Sequence, residues 1–184
     1  MLRKKGGMSQ FTNSTVIPEE YKGLAGSNLD ITATHYTNFI LLQIRLNGEL
    51  DSTFEVTCRR SGLLLAGAVR PPIATDEPQS SSMQSDDESI SELDFVRDNM
   101  SDFDVVAKLG DSNNVKLQVI CTQIAELYNS VIVPGLLGAD NPNCGRNMII
   151  TLSTKLVTRG ADSKPEDFGR LVLLLQSIKA MYTS

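Results

Sequence analysis

The chain has 184 residues, enough for one domain and a loose insert but too few for two full cores. Its formal charge of −5 conceals a division: the stretch 76–104 holds ten carboxylates against Arg97 alone, a net of −9, so the remainder carries +4. That excludes a uniformly acidic protein and describes a modestly basic body joined to an acidic strip.

Residues 1–27 read as a flexible leader, with the brief basic head Arg3-Lys4-Lys5-Gly6-Gly7 and no amphipathic, Arg/Ser-rich helix of the transit-peptide kind. A single domain is expected over 28–184. Residues 29–35 alternate as a half-buried strand, with Leu29, Ile31 and Ala33 on one side and Asp30, Thr32 and Thr34 on the other. Residues 39–46 are apolar on both faces at first and then alternate, as a central strand does. Asn47-Gly48 tolerates the positive φ of a tight hairpin, and 53–59 returns with Phe54, Val56 and Cys58 on one face. These three runs are expected to form an antiparallel meander. Residues 63–69, bounded and interrupted by Gly62 and Gly67, suit a strand or a packed turn better than a helix.

From Arg70 the composition changes to Pro71-Pro72, Pro78, Ser80-Ser81-Ser82 and then the acids. Such a segment has too little apolar surface to offset the entropy of ordering, so a disordered acidic loop is expected over 71–98. Ser85-Asp86-Asp87-Glu88 and Ser89-Ile90-Ser91-Glu92 would suit an acid-directed kinase, although a solvated spacer is the plainer reading.

The stretch 103–109 has apolar odd positions and reads as a strand. Asp111 or Ser112 is expected to cap the following helix, whose stripe is Leu117, Ile120, Ile124, Leu127 and Tyr128, with Lys116, Gln123 and Glu126 facing away. Residues 129–145, with Pro134, Gly135, Gly138, Pro142 and Gly145, read as a connecting loop, and 147–156 as a strand turning Met148, Ile150 and Leu152 inward. Ser163 and Glu166 have capping-box spacing with Pro165 in the first turn. The terminal helix then shows a wide apolar face of Phe168, Leu171, Val172, Leu175, Ile178, Met181 and Tyr182, which calls for a sheet or a second subunit to cover it. The fold class expected is α+β: an antiparallel β-sheet with two main α-helices packed against it, one domain interrupted by a disordered insert.

Groups that do chemistry are sparse. Cys58, Cys121 and Cys144 form no CxxC and leave one unpaired under any bridging scheme, so they read as reduced thiols of an intracellular protein. His35 is the only histidine; paired with Cys58 it would make a small thiol hydrolase, but no orienting carboxylate or oxyanion-hole signature accompanies it. One His and three scattered Cys match no structural-zinc pattern. Gly110-Asp111-Ser112 at a helix start suits capping better than phosphate, because Asp111 would repel the anion. Arg59-Arg60 lacks the interleaved aromatics of a nucleic-acid platform and reads as an edge-strand charge cluster. No apolar run approaches the roughly 18 residues of a membrane helix. The expectation is a protein that binds, with no catalytic, cofactor or metal residues and no nucleic-acid or membrane partner; its partner-binding residues stay unassigned.

The order of elements resembles the small proteasome assembly chaperones of the chaperone 3 and chaperone 4 family, nearer its chaperone 3 branch. The resemblance lies in Ile31-Thr32-Ala33-Thr34-His35-Tyr36-Thr37-Asn38-Phe39-Ile40-Leu41-Leu42-Gln43-Ile44, in the expected hairpin through Gly48 to Thr57, in Lys108-Leu109-Gly110-Asp111 leading into a helix, and in Asn147 to Lys155 followed by the terminal helix. It implies a non-enzymatic chaperone that pairs with its sister chaperone as a heterodimer and binds proteasome α subunits, chiefly α5, to promote formation of the α ring. It implies an antiparallel sheet backed by helices, with a core that dimerisation completes. The N-terminal leader, the acidic insert and the 129–145 loop depart from the short members of the family. A sheet-dimerising trafficking or signalling adaptor is the alternative with similar architecture.

Overall fold

The computed structural model describes residues 3–5, 8–59, 102–137, 146–158 and 164–183. The stretch 63–69, the acidic insert with its serines, Cys144 and Ser163 lie outside the described residues. Seven strands form one sheet: β1 (Arg3–Lys5), β2 (Met8–Val16), β3 (Asn28–His35), β4 (Phe39–Leu46), β5 (Ser52–Cys58), β6 (Phe103–Leu109) and β7 (Asn147–Leu152), in the order β1-β2-β3-β4-β7-β5-β6. Helix α1 (Val115–Leu127) passes through a wide π turn (Tyr128–Ile132) into α2 (Val133–Leu137), and α3 (Pro165–Ala180) closes the chain. The α+β class and the two main helices are as expected.

The segment read as a leader is not loose: Met8–Val16 is a nine-residue strand paired along its length with β3, from Ser9 opposite His35 to Val16 opposite Asn28. Its mostly polar face hid the alternation that turns Phe11 and Asn13 toward α3, where Asn13 Nδ2 donates to the Ser177 carbonyl at 2.9 Å.

The meander is also corrected. Asn47 (φ 52°) and Gly48 (φ 80°) take the positive φ that a tight turn demands. Yet β5 does not return along β4. Beyond the single Leu46–Glu49 bridge the chain steps aside by one strand, and β7 fills the gap, parallel to β4 and antiparallel to β5, so the sheet is mixed. Asp51 ties the step down: its carboxylate accepts from the Thr154 amide at 2.8 Å and the Thr154 hydroxyl at 2.7 Å, just past the end of β7.

The strands β3, β4, β5 and β7 turn alternate residues into the core, and every one of those inward residues is buried. Both helices cover this one face. Leu117, Ile120, Ile124 and Tyr128 dock α1, while Leu174, Ile178 and Met181 dock α3. The α3 stripe is therefore centred on Leu174, Ser177 and Ile178, and Phe168, expected within it, is 71% exposed.

Caps shift by one to three residues from expectation. Asn114, not Asp111 or Ser112, caps α1 by accepting from the Leu117 amide at 3.2 Å, while Asp111 accepts from the Asn113 amide at 2.9 Å within the preceding turn. For α3 it is Asp167, not Glu166, that reaches back to the Lys164 amide at 3.2 Å. Lys116, expected to face away, is largely buried: its ammonium lies 3.0 Å from Asp167 and donates to the Thr158 hydroxyl at 3.0 Å. Asp167 also accepts from the Thr158 amide and hydroxyl. Burial alone would raise that carboxyl; these donors together hold it far below the usual range.

Residues 129–137 are helical where a loop was expected. The π turn makes this possible, since the Val133 amide reaches back five residues to the Tyr128 carbonyl and widens the helix just before Pro134, which has no amide to give. The continuous helical run Val115–Leu136 is long and apolar enough by composition to cross a membrane, contrary to the expectation from apolar runs. Its apolar stripe is instead packed against the sheet, as that of a core helix is.

Candidate functional site

Each strand of a sheet has two faces, and here the described helices cover only one. On the other face, not covered by any described helix, the registers align Gln10, Thr34, Leu41, Ile149, Glu55 and Val106 in one row across β2, β3, β4, β7, β5 and β6. The next row is Thr12, Thr32, Gln43, Thr151 and Thr53. At the margin Tyr36 stacks on Phe39, their ring centroids 4.5 Å apart and 18° from parallel. The face thus carries Phe39, Leu41 and Ile149 together, with Val106 beyond Glu55, which pairs with Lys108 at 2.7 Å, and threonines alongside. Half-apolar and rich in hydroxyls, it suits another protein surface better than a small molecule.

The reactive groups singled out in the sequence do not converge. His35 on β3 and Cys58 on β5 are separated by β4 and β7, three strand spacings or about 14 Å. Both are buried. The His35 imidazole is instead bonded to hydroxyls: Nε2 lies 2.8 Å from Tyr182 Oη, which lies 2.8 Å from Tyr128 Oη. One arrangement that fits these distances has Tyr128 donating to Tyr182 and Tyr182 donating to Nε2, with the imidazole proton on Nδ1. Burial, and secondarily the Arg146 charge, lowers the imidazole pKa to about 4, so it is neutral at physiological pH. Burial likewise pushes both tyrosines up, and raises Cys121 to about 12. These are structural groups, and the thiol-hydrolase reading falls with their separation.

The remaining candidates resolve into packing. Gly110 (φ 97°) is required because a Cβ there would sit 2.5 Å from Ser52 Oγ. Arg59 pairs with Asp104 at 3.5 Å on the exposed edge of β5 and β6. Among the described residues no three His, Cys, Asp or Glu come together as a metal site.

The sequence pattern of the family described as 20S proteasome chaperone assembly proteins 3 and 4 matches residues 8–179. The chain belongs to this family. The match begins at Met8, the first residue of β2, so that strand falls within the family's domain. Among curated relatives, the family chain described as Proteasome chaperone 3 of Saccharomyces cerevisiae is 42% identical over 157 residues, 84% of either chain. A solved relative, from the crystal structure of a novel chaperone complex for yeast 20S proteasome assembly, is 39% identical and aligns over 95% of this chain and 98% of its own, with a TM-score of 0.59. Sequence reasoning found the helix-covered face of this family fold. It missed the open face as a surface, because its threonines and glutamines carry no distinctive signal until the register lines them up.

Proposed function

We propose that the chain is a non-enzymatic assembly chaperone of the 20S core proteasome. In this reading it acts as one half of a heterodimer with its sister chaperone, and the pair binds α subunits, chiefly α5, and promotes formation of the α ring in the cytoplasm and nucleus. The observation that carries the reading is the 42% identity with yeast Proteasome chaperone 3 along 84% of both chains. The open sheet face supports it physically. Covering Phe39, Leu41, Ile149 and Val106 with a partner's sheet removes apolar area from water, while the flanking hydroxyls hydrogen-bond across the seam. Binding needs no nucleotide: complementarity favours one arrangement of α subunits, and the chaperone leaves when later subunits displace it.

The test is to mix the purified full chain with the sister chaperone and α5 and measure mass in solution. A one-to-one heterodimer that adds one α5 is expected. A monomer that binds neither sinks the proposal. Leu41→Lys on the open face should abolish the heterodimer while the chain stays folded, because it places a charge at the centre of the seam.

A further inference from the structure

The open face carries charge as well as apolar area, and its charges are not all matched. Beyond the threonine row the registers align Ser14, Asp30 and Arg45 across β2, β3 and β4. Arg45 shares its face of β4 with Phe39, Leu41 and Gln43, all half-buried and alternating with the buried inward residues. The other two cations whose side chains are described on this face have carboxylates: Lys108 lies 2.7 Å from Glu55, and Arg59 lies 3.5 Å from Asp104. Arg45 has no carboxylate within ion-pair distance among the described residues, and its Nη2 donates instead to the neutral Gln43 Oε1 at 2.8 Å. Asp30 stands directly opposite on β3, yet its carboxylate is held elsewhere, accepting from the Ser14 hydroxyl at 2.6 Å and from Asn28 Nδ2 at 2.9 Å.

We infer that Arg45 determines specificity at the seam with the sister chaperone, and that it reads a carboxylate on the sister. This role rests on the proposed function and adds to it the chemistry that the partner must present. Arg45 lies four residues from Leu41 along β4, a distance of about 13 Å. A partner footprint of about 800 Å² a side, centred on Leu41, has a radius of about 16 Å and so covers it. Covering strips water from the guanidinium, and a charge taken out of water without an opposite charge is penalised more than neighbouring apolar contacts return. Gln43 offers one neutral acceptor to a group with five donors. A partner that met this position with apolar or basic side chains would be rejected, whereas an Asp or Glu gains a forked, charge-assisted pair. A second copy of this chain is the poorer match, because the acids on its own open face are engaged: Glu55 and Asp104 by cations, Asp30 by a hydroxyl and a side-chain amide. Leu41 and Ile149 adhere to any apolar partner; Arg45 chooses among such partners.

The test mixes the purified full chain with its sister and follows affinity by titration calorimetry at low and at high salt. Arg45→Gln removes no ion pair within the chain, so its urea unfolding transition should match wild type. Affinity for the sister should fall by about tenfold or more at low salt. The loss of affinity that salt causes in wild type should shrink in the variant, since screening acts on the pair that has been removed. Arg45→Lys supplies a second measurement. Treated with a zero-length carbodiimide in the heterodimer, the amine at position 45 should condense with loss of water onto an Asp or Glu of the sister, identified by peptide mass; the wild-type guanidinium gives no such link. Absence of a link to the sister, or a link only to a carboxylate of this chain, its own Asp30 or a second copy's, overturns the inference. So does Arg45→Gln binding with unchanged affinity and salt response. If wild type and the sister form no heterodimer, the proposed function fails and the role of Arg45 with it; if they do and Arg45→Gln binds equally well, only the role of Arg45 fails.

Discussion

The two ends of this sheet are built on opposite terms. At the end where β3 finishes, Phe11, His35, Tyr128 and Tyr182 close on one another with ring centroids 4.5 to 6.0 Å apart, and His35 Nε2 and the two tyrosine hydroxyls hydrogen-bond in a chain. At the end where both helices begin, a groove stands open, lined by the exposed Val115, and Phe168 stands exposed in the first turn of α3. The first arrangement maximises packing. The second leaves apolar area in water, which monomeric stability alone does not favour. Substitutions at the closed end should therefore change stability, and those at the open end should change recognition.

The largest effect is expected for Tyr128→Ala. The ring is 1% exposed at the junction of α1 with its π turn, and its removal leaves a cavity and strips a hydrogen bond from Tyr182. Loss of about 4 kcal/mol of unfolding free energy in urea titration is the expected outcome. A loss below about 1 kcal/mol would mean that the closed end is not the stability centre.

The next effect is read in pH. The folded-state pKa of His35 is about 4, below its ordinary 6.5, so between these values the unfolded chain binds the proton and the folded chain does not. Stability is complete above pH 6.5 and falls toward pH 4, by on the order of 3 kcal/mol. Below pH 4 a second loss sets in, because Asp167 stays ionised when folded and protonates when unfolded. His35→Phe should flatten the first slope in a series of urea titrations and leave the second.

Much of this contrast is invisible along the chain, for physical reasons. The strands with strict alternation, from Leu29, Phe39 and Phe103, were legible because one face is dry. β2 was not, since a strand near the sheet's margin can carry polar residues on both sides without cost when its inward face brings only Phe11 and Asn13 toward α3. The slot between β4 and β5 was illegible because Asn47-Gly48 specifies a turn and says nothing about whether the returning strand pairs directly. That choice depends on β7, about a hundred residues away, and on Asp51 reaching Thr154. Phe168 fits the α3 stripe by spacing, yet the helix turns toward Leu174 and leaves it outside, while Val115, outside the α1 stripe, is exposed as that spacing requires. Only the assembled end of the sheet makes them a surface.

Gly110→Ala probes the floor of the open end. At φ 97° any Cβ is strained, and here it would meet the buried Ser52 side chain at 2.5 Å, so β5 or the turn must move. A loss of about 2 kcal/mol is expected, and the double variant Gly110→Ala/Ser52→Gly should recover part of it by removing the clash while keeping the strained backbone. If Ser52→Gly recovers nothing, the backbone conformation alone sets the requirement for glycine.

The smallest stability effect sharpens the comparison most. Phe168→Ser removes a whole aromatic ring from the first turn of α3, a change that in the core would cost several kcal/mol. The ring is 71% exposed, however, and the turn is held by Asp167 through Thr158, Lys116 and the Lys164 amide without it. The unfolding free energy should stay within about 0.5 kcal/mol of wild type. A side chain of this size that contributes so little to the fold is free to serve recognition. Should Phe168→Ser instead cost as much as a core truncation, the ring would belong to the packing, and the division between a stabilising end and a recognising end would fail at its most exposed residue.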